Sequence, residues 1–155
     1  MTIFIAVDHG RCEEVLCSYL SKWLRVKIIP VTRSKGGETI TLKETGEFLS
    51  TGVFKDLGSL KKFCKNNGKD CKNLSMDDIT IFVLMDVDGD YLSVKSFRSK
   101  DMFKGSAFYD RIIPILSNPN LDSIFASSNL DVNDRNKPVS YRKVLDKISS
   151  ADELC

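Results

Sequence analysis

Several features that would assign the chain to a familiar class are missing from its sequence. No apolar run approaches the roughly 20 residues that span a bilayer, so we expect no membrane association. The first apolar run has no basic region before it and soon meets Asp8, which is not the pattern of a signal peptide. No G-x-x-x-x-G-K-[S/T] sequence is present, so any ATP-driven step would need a partner ATPase subunit. Without repeats or low-complexity linkers, residues 1–155 are expected to form a single domain.

Cysteine and histidine are scarce or poorly spaced for metal binding. The chain has five cysteines, but neither Cys12 with Cys17 nor Cys64 with Cys71 forms a C-x-x-C pair, so no zinc site is expected. Reduced thiols and a cytoplasmic location are the simpler interpretation. His9 is the only histidine.

The composition is that of a globular domain with an uneven charge distribution. Hydrophobic residues make up 42% and charged residues 28% of 155 residues, enough for a sizeable core. Residues 1–75 carry excess positive charge, concentrated in the lysine-rich stretch at residues 55–72, and residues 76–155 carry excess negative charge. A basic surface beside an acidic cluster suits a protein that holds phosphates and a metal together. A solvated lysine-rich helix face is the alternative.

Apolar runs and helical spacings alternate along the chain. Continuous apolar runs favour strands buried on both faces of a parallel sheet, whereas apolar residues at helical spacing favour amphipathic helices. The order βαβααβαβα predicts an α/β fold, a three-layer sandwich around a mostly parallel four-stranded sheet. Pro114 is expected to kink or split the helix in which it falls. The predicted strands cover residues 3–7, 26–31, 79–85 and 121–126, and the predicted helices cover residues 11–24, 39–49, 57–64, 107–116 and 140–148.

Three aspartates follow the third predicted strand at alternate positions. Asp86 and Asp88 lie on the same side of an extended chain, so both can reach one ion. Carboxylate oxygens are preferred ligands of Mg2+, and an ion would relieve their mutual repulsion. Ligands bind at the carboxyl ends of parallel strands, where Asp8 and His9 end the first strand. The sequence predicts a Mg2+ (or Mn2+) site at Asp86 and Asp88, with Asp90 acting through water; a solvated acidic turn is the alternative.

Two other uses of such aspartates fit the sequence poorly. A calcium-binding EF-hand loop needs glycine and glutamate where Tyr91 and Phe97 stand, and it is flanked by helices. A receiver-like signalling domain needs an acidic pair after the first strand and a lysine after a late one. Asp8 with His9 is not such a pair, and no lysine follows the strand predicted at residues 121–126.

Taken together, these residues resemble the Toprim domain, the metal-binding catalytic domain of topoisomerases, primases and OLD-type nucleases. The family pattern is a strand ending in Glu-Gly, then a strand ending in Asp-x-Asp, then, in small RloB-like and OLD-like proteins, a Ser-Asn-Pro-x-Phe-Glu-like motif. Gly10 and Glu13 fit Gly-x-x-Glu, and residues 83–88 (V-L-M-D-V-D) fit the second element. Residues 127–131 (S-S-N-L-D) are a faint counterpart of the third. The chain departs from the pattern at the first glutamate, where His9, or Asp8 after a one-residue shift, stands.

The resemblance implies Mg2+-dependent nuclease chemistry on DNA or RNA, in a phage-defence or mobile-element context. Asp8 or His9 would transfer the proton, and Glu13 would orient a ligand or join the metal shell. A catalytically degenerate Toprim domain that binds nucleic acid or protein is the second hypothesis, favoured by the missing glutamate. A homodimer is a further expectation. The basic residues expected to hold the phosphodiester backbone are Arg33, Lys35, Lys61, Lys62 and Lys65.

Overall fold

A computed structural model describes residues 2–7, 11–32, 40–87, 89–117, 123 and 137–148. Strands and helices alternate along these residues, and short 3-10 turns connect some of them. The strands are β1 (Thr2–Val7), β2 (Lys27–Val31), β3 (Ile79–Asp86) and β4 (Ile112–Ser117). The helices are α1 (Arg11–Leu24), α2 (Thr45–Phe48), α3 (Leu57–Asn66), α4 (Tyr91–Arg98) and α5 (Lys137–Leu145).

The four strands form one parallel sheet in the order β2-β1-β3-β4. The two inner strands are paired along their length, with Thr2 opposite Ile79 and Val7 opposite Leu84. Because every strand runs in the same direction, the carboxyl ends of all four lie at one edge of the sheet. The expected α/β class is confirmed, and the sheet is wholly rather than mostly parallel.

Helices cover both faces of the sheet. The larger core joins Phe4, Ile81 and Val83 of the sheet to Leu60 of α3 and Phe97 of α4. On the opposite face, Ile3 and Ile28 pack against Cys17 of α1. Helix α5 packs against α1, with Tyr141 and Leu145 buried against Val15 and Leu16. The chain therefore forms the predicted three-layer arrangement, with α2, α3 and α4 on one side and α1 on the other.

Each outer strand carries a proline. Pro30 lies in β2 opposite Ile5, and Pro114 lies in β4 opposite Val83. Proline has no backbone N–H to donate and is tolerated in sheets only at edges, where no further strand needs that donor. Both edges are thus poorly suited to pairing with another strand.

Most elements of the first two-thirds of the chain agree with the sequence analysis. Helix α1 begins and ends as predicted, and β1, β2 and β3 each differ from prediction by one residue at one end. Helix α3 extends to Asn66, and the predicted helix over residues 39–49 is reduced to a 3-10 turn followed by the single turn of α2. Among the helices of the described ranges, none has both the length and the apolar character needed to cross a bilayer.

The prediction over residues 107–116 is wrong. The helical spacing of Phe108, Ile112 and Leu116 favours a helix, yet Ile112–Ser117 is strand β4. Pairing with β3 places Ile112 and Leu116 against the core, and Pro114 is acceptable because β4 is an edge strand. The strand predicted at residues 121–126 lies outside the described residues except for Ser123, which is helical. The element types from β1 to β4 follow the predicted order, but residues other than those predicted form both helix α4 and strand β4.

Helix α4 was not predicted, although the sequence signals it. Asp90 is the N-cap of α4, and its Oδ1 accepts a hydrogen bond of 3.2 Å from the Ser93 N–H. Phe97 is fully buried and packs edge-on against Phe103 with ring centroids 5.4 Å apart. The aspartate run therefore leads directly into a helix, and its last member is the cap.

Gly46 provides a test of how α2 is packed. A Cβ added at Gly46 would lie 2.4 Å from the Met102 carbonyl oxygen, a backbone atom that cannot swing aside. We expect Gly46→Ala to lower the free energy of unfolding by about 1–3 kcal/mol, the usual cost of overpacking. Urea denaturation followed by circular dichroism measures this change.

Gly105→Ala is the matched control, because its added Cβ would meet only Ser50 Oγ at an ordinary 3.5 Å. Equal unfolding free energies for the two variants would contradict the close approach of α2 to the turn at Met102.

Candidate functional site at the carboxyl edge of the sheet

The ends of β3 and β4 form the centre of the candidate site. Asp86 is the last residue of β3 and is paired in register with Ser117, the last residue of β4. The Ser117 hydroxyl donates a hydrogen bond to Asp86 Oδ1 and lies 3.5 Å from the Met85 carbonyl oxygen. The Val87 N–H donates to the Ser117 carbonyl at 3.3 Å, so a backbone hydrogen bond also joins the two strand ends.

The Asp86 carboxylate is half-buried and fixed in orientation. Ser117 is only 3% exposed, and Val87, directly after Asp86, is 4% exposed. A carboxylate held by a buried hydroxyl cannot rotate freely, so its oxygens point in a defined direction. The arrangement can present a hard, negatively charged ligand at the edge of the sheet where ligands of parallel α/β folds bind.

Glu13 lies on the same side of the sheet as the Asp86 side chain. Alternation along β3 places Asp86 on the side of Phe82 and Leu84, which pack towards α1. Glu13 is in the first turn of α1, which starts soon after β1 reaches the carboxyl edge. Its Oε2 atom is buried from solvent. Burial, together with the negative charge of Glu13, raises the pKa of the nearby Cys17 thiol from 9.0 to about 12.

A tight turn separates Asp86 from α4. The Asp90 N–H donates to the Val87 carbonyl at 2.8 Å, and Gly89 has a φ of 83°, a left-handed conformation that glycine adopts readily. The Asp90 side chain uses Oδ1 to cap α4, so one of its two oxygens already has a structural task. Its expected action through a bound water remains a prediction.

Five of the predicted site residues lie outside the described residues: Asp8, His9, Arg33, Lys35 and Asp88. Within the described ranges, no group of three or more histidine, cysteine, aspartate or glutamate side chains is arranged to hold a metal ion. Three of the predicted metal-site and catalytic residues are among those not described, so the predicted ligand set remains a prediction.

The residues just after α3 lie near the amino-terminal edge of the sheet, opposite the edge at which Asp86 lies. They contact Lys27, the first residue of β2. There, Lys27 Nζ donates to the Asp70 carbonyl and lies 3.6 Å from Cys71 Sγ. Lys27 and Ile79 both pair with Thr2, and a rise of about 3.3 Å per residue places Asp86 some 20 Å further along the sheet than Ile79.

The three predicted lysines of α3 lie in its last two turns. Lys65, in its last turn, is exposed near the amino-terminal edge, and Lys61 and Lys62 precede it by about one turn. The expectation that this helix carries a basic surface beside the acidic cluster stays a prediction. Whether its lysines bind nucleic acid stays a prediction.

Sequence reasoning missed Ser117, although a signal for it was present. Residues 117–122 read S-N-P-N-L-D, close to the Ser-Asn-Pro-x-Phe-Glu-like third element of the Toprim pattern. The helix wrongly predicted over residues 107–116 placed this stretch after a helix rather than after a strand. The weaker counterpart at residues 127–131 lies outside the described residues.

Comparison with known proteins identifies no relative: no family model, no curated protein and no solved structure matches the chain.

The capping role of Asp90 can be tested by substitution. Asn also caps helices, whereas Ala cannot, so Asp90→Ala should lower the free energy of unfolding by about 1 kcal/mol and Asp90→Asn by much less. Thermal denaturation of the two variants measures the difference. Asp56→Ala is the control, since Asp56 caps α3 through Ser59 at 2.7 Å. An Asp90→Asn variant as unstable as Asp90→Ala would contradict the cap.

The raised pKa of Cys17 predicts a loss of stability in alkaline solution. The unfolded thiol ionises near 9.0 and the folded thiol near 12, so the native state retains a proton that the unfolded state releases between these values. The Cys17 contribution is complete below pH 9 and falls by about 1.4 kcal/mol per pH unit as the pH rises from 9 towards 12. Urea denaturation at pH 8, 9 and 10 measures the slope.

Cys17→Ala serves as the comparison, because its lower overall stability does not affect the slope. The variant should lose the Cys17 share of the pH dependence and keep that of Cys64, whose pKa burial also raises to about 12. Identical slopes for the variant and the wild type would show that Cys17 ionises equally in both states.

Proposed function

We propose that the protein is a Toprim-type, Mg2+-dependent enzyme acting on nucleic-acid phosphodiesters, with its reactive centre at the carboxyl edge of the sheet. The observation that carries the proposal is the pairing of Asp86 with Ser117 at adjacent strand ends. Asp86 begins the Asp-x-Asp stretch and Ser117 begins the S-N-P-N-L-D stretch, and a side-chain hydrogen bond joins these two residues. Both stretches resemble parts of the Toprim pattern.

The donor set fits Mg2+. This ion takes oxygen ligands and is usually bound by only one or two carboxylates, the remaining positions being filled by water and substrate phosphates. Asp86 supplies a half-buried, oriented carboxylate, and Asp88 follows at the spacing of the Asp-x-Asp element. These two residues would hold the ion, with Asp90 acting through water. When bound, the ion would polarise a phosphodiester oxygen and offset negative charge that develops there.

The other residues of the site would position and exchange protons. Ser117 fixes the direction of the Asp86 carboxylate by donating to Oδ1. Glu13, with one oxygen buried on the same side of the sheet, would orient a ligand or complete the metal shell. Asp8 or His9, directly after β1, would transfer the proton. Cys17, Cys64 and Cys71 are reduced thiols, which suits a cytoplasmic protein.

A binding module without catalysis is the second candidate. It is favoured by one specific feature, the absence of the Toprim glutamate at the end of the first strand, where Asp8 and His9 stand. A receiver-like domain has less support, because β4 ends at Ser117 and residues 118–122 contain no lysine.

Cleavage assays test the proposed function. Supercoiled DNA, linear DNA and RNA are incubated with the protein and Mg2+ or Mn2+, and products are separated on gels. We expect Asp86→Asn combined with Asp88→Asn to reduce cleavage by more than about 100-fold, because the ion loses its carboxylate ligands. Ser117→Ala should reduce it by about 10- to 100-fold, as loss of a residue that orients a metal ligand usually does.

Asp110→Asn is the matched control. Asp110 is exposed and precedes β4, at the opposite edge of the sheet, so the same chemical change there should leave cleavage intact. Thermal denaturation establishes that all variants are folded. The enzyme hypothesis is wrong if the wild type cleaves none of these substrates and the double variant binds nucleic acid with unchanged affinity. The binding module would then be the better explanation.

A further inference from the structure

Helix α4 exposes two large apolar side chains next to the candidate site. Tyr91 is 70% exposed and Leu92 is 96% exposed, the highest values among the exposed large hydrophobic residues described. They form the first turn of α4, directly after Asp90. The opposite side of the same helix is well packed, with Phe97 fully buried and Val94 against the core. The exposure is therefore a property of one face, not of a loosely packed helix.

Two cations continue this face along the helix. Lys95 and Arg98 follow Tyr91 by four and seven residues, the spacing that places side chains on one side of an α-helix. Both are exposed. Tyr91, Leu92, Lys95 and Arg98 form what we call the α4 strip, which covers about 10 Å of helix length and begins at the turn after Asp86.

The charge of the α4 strip has one sign. The ion pairs found among the described residues are Lys104 with Asp101 and Arg111 with Asp77, so neither uses Lys95 or Arg98. Asp101, the acidic residue beyond the end of α4, is held by Lys104 at 2.7 Å and accepts a hydrogen bond from the Ser99 hydroxyl at 2.6 Å. The strip therefore offers two cations and an aromatic ring to an anionic partner.

We propose that the α4 strip binds a single-stranded segment of nucleic acid, with an unpaired base stacked on Tyr91 and adjacent phosphates held by Lys95 and Arg98. The inference rests on the proposed function, which assigns a metal site to Asp86. It narrows the proposed substrate to strands with unpaired bases. An exposed ring beside cations is the combination that single-strand-binding proteins use, since every base has a π-face and every nucleotide a phosphate. Bases inside a duplex are already stacked and cannot reach Tyr91.

Binding without cleavage tests the α4 strip. Fluorescence anisotropy is measured in EDTA with labelled oligo(dT) of about 20 nucleotides, longer than typical single-strand sites. A duplex of the same length and an abasic strand are the comparison probes. We expect Tyr91→Leu and Tyr91→Ala to weaken oligo(dT) binding about tenfold and to leave duplex and abasic binding within twofold. Tyr91→Phe, which keeps the flat ring, should bind like the wild type.

Charge is tested separately. Lys95→Ala combined with Arg98→Ala should weaken every probe and lower the dependence of log K on log salt by about one to two. Lys22→Ala combined with Lys43→Ala removes the same charge from exposed positions elsewhere and should alter neither quantity. Circular dichroism and thermal denaturation confirm that each variant is folded.

The outcomes separate this inference from the proposed function. Oligo(dT) affinity that is undetectable in the wild type, unchanged in Tyr91→Leu, or reduced equally for all three probes overturns the single-strand site. If a Tyr91→Leu protein also cleaves single strands and duplex as the wild type does, the proposed enzyme function is supported and the single-strand site on the α4 strip is rejected. If the protein cleaves nothing but binds oligo(dT) in a way that depends on Tyr91, the single-strand site is supported and the nuclease function is rejected. Concentration-dependent self-association abolished by Leu92→Ser, with no nucleic-acid binding, would assign the strip to a second copy of the chain.

Discussion

The parallel pairing of β3 with β1 on one side and β4 on the other is the constraint on which the rest of the structure depends. It buries Ile81 and Val83 completely and fixes which side chains of β3 face each layer. Burying a large aliphatic side chain contributes about 1.5–3 kcal/mol, and a one-residue slip would exchange the two faces of the strand. Because the pairing is parallel, it also brings all strand ends with their following turns to one edge.

The candidate site is a direct result of that register. Asp86 and Ser117 are neighbours because β3 and β4 end together, and their hydrogen bond gives the carboxylate a fixed direction. The following turn uses Gly89 and the Asp90 cap to start α4, so the aspartate run serves two purposes. It supplies the candidate ligand and it orders the helix that carries Tyr91, Leu92, Lys95 and Arg98.

Cations lie on two different helices, α3 and α4. The chain just after α3 contacts Lys27, at the amino-terminal edge of the sheet, whereas α4 begins at the turn after Asp86. Of the two helices, α4 is the one that begins directly after the turn that follows Asp86. The lysine content of residues 55–72 alone could not distinguish a basic surface beside the site from one at the far edge.

The sequence by itself determined the fold class, α1, the first three strands and the position of Asp86 at a strand end, because long apolar runs and strong helical periodicity report burial locally. Only the tertiary structure decided that Ile112–Ser117 is a strand, since its spacing also suits a helix and Pro114 is acceptable only at a sheet edge. The pairing of this strand with β3 also makes Ser117 the partner of Asp86. Register between residues distant in sequence is set by packing of the whole sheet, and no local pattern of residues encodes it.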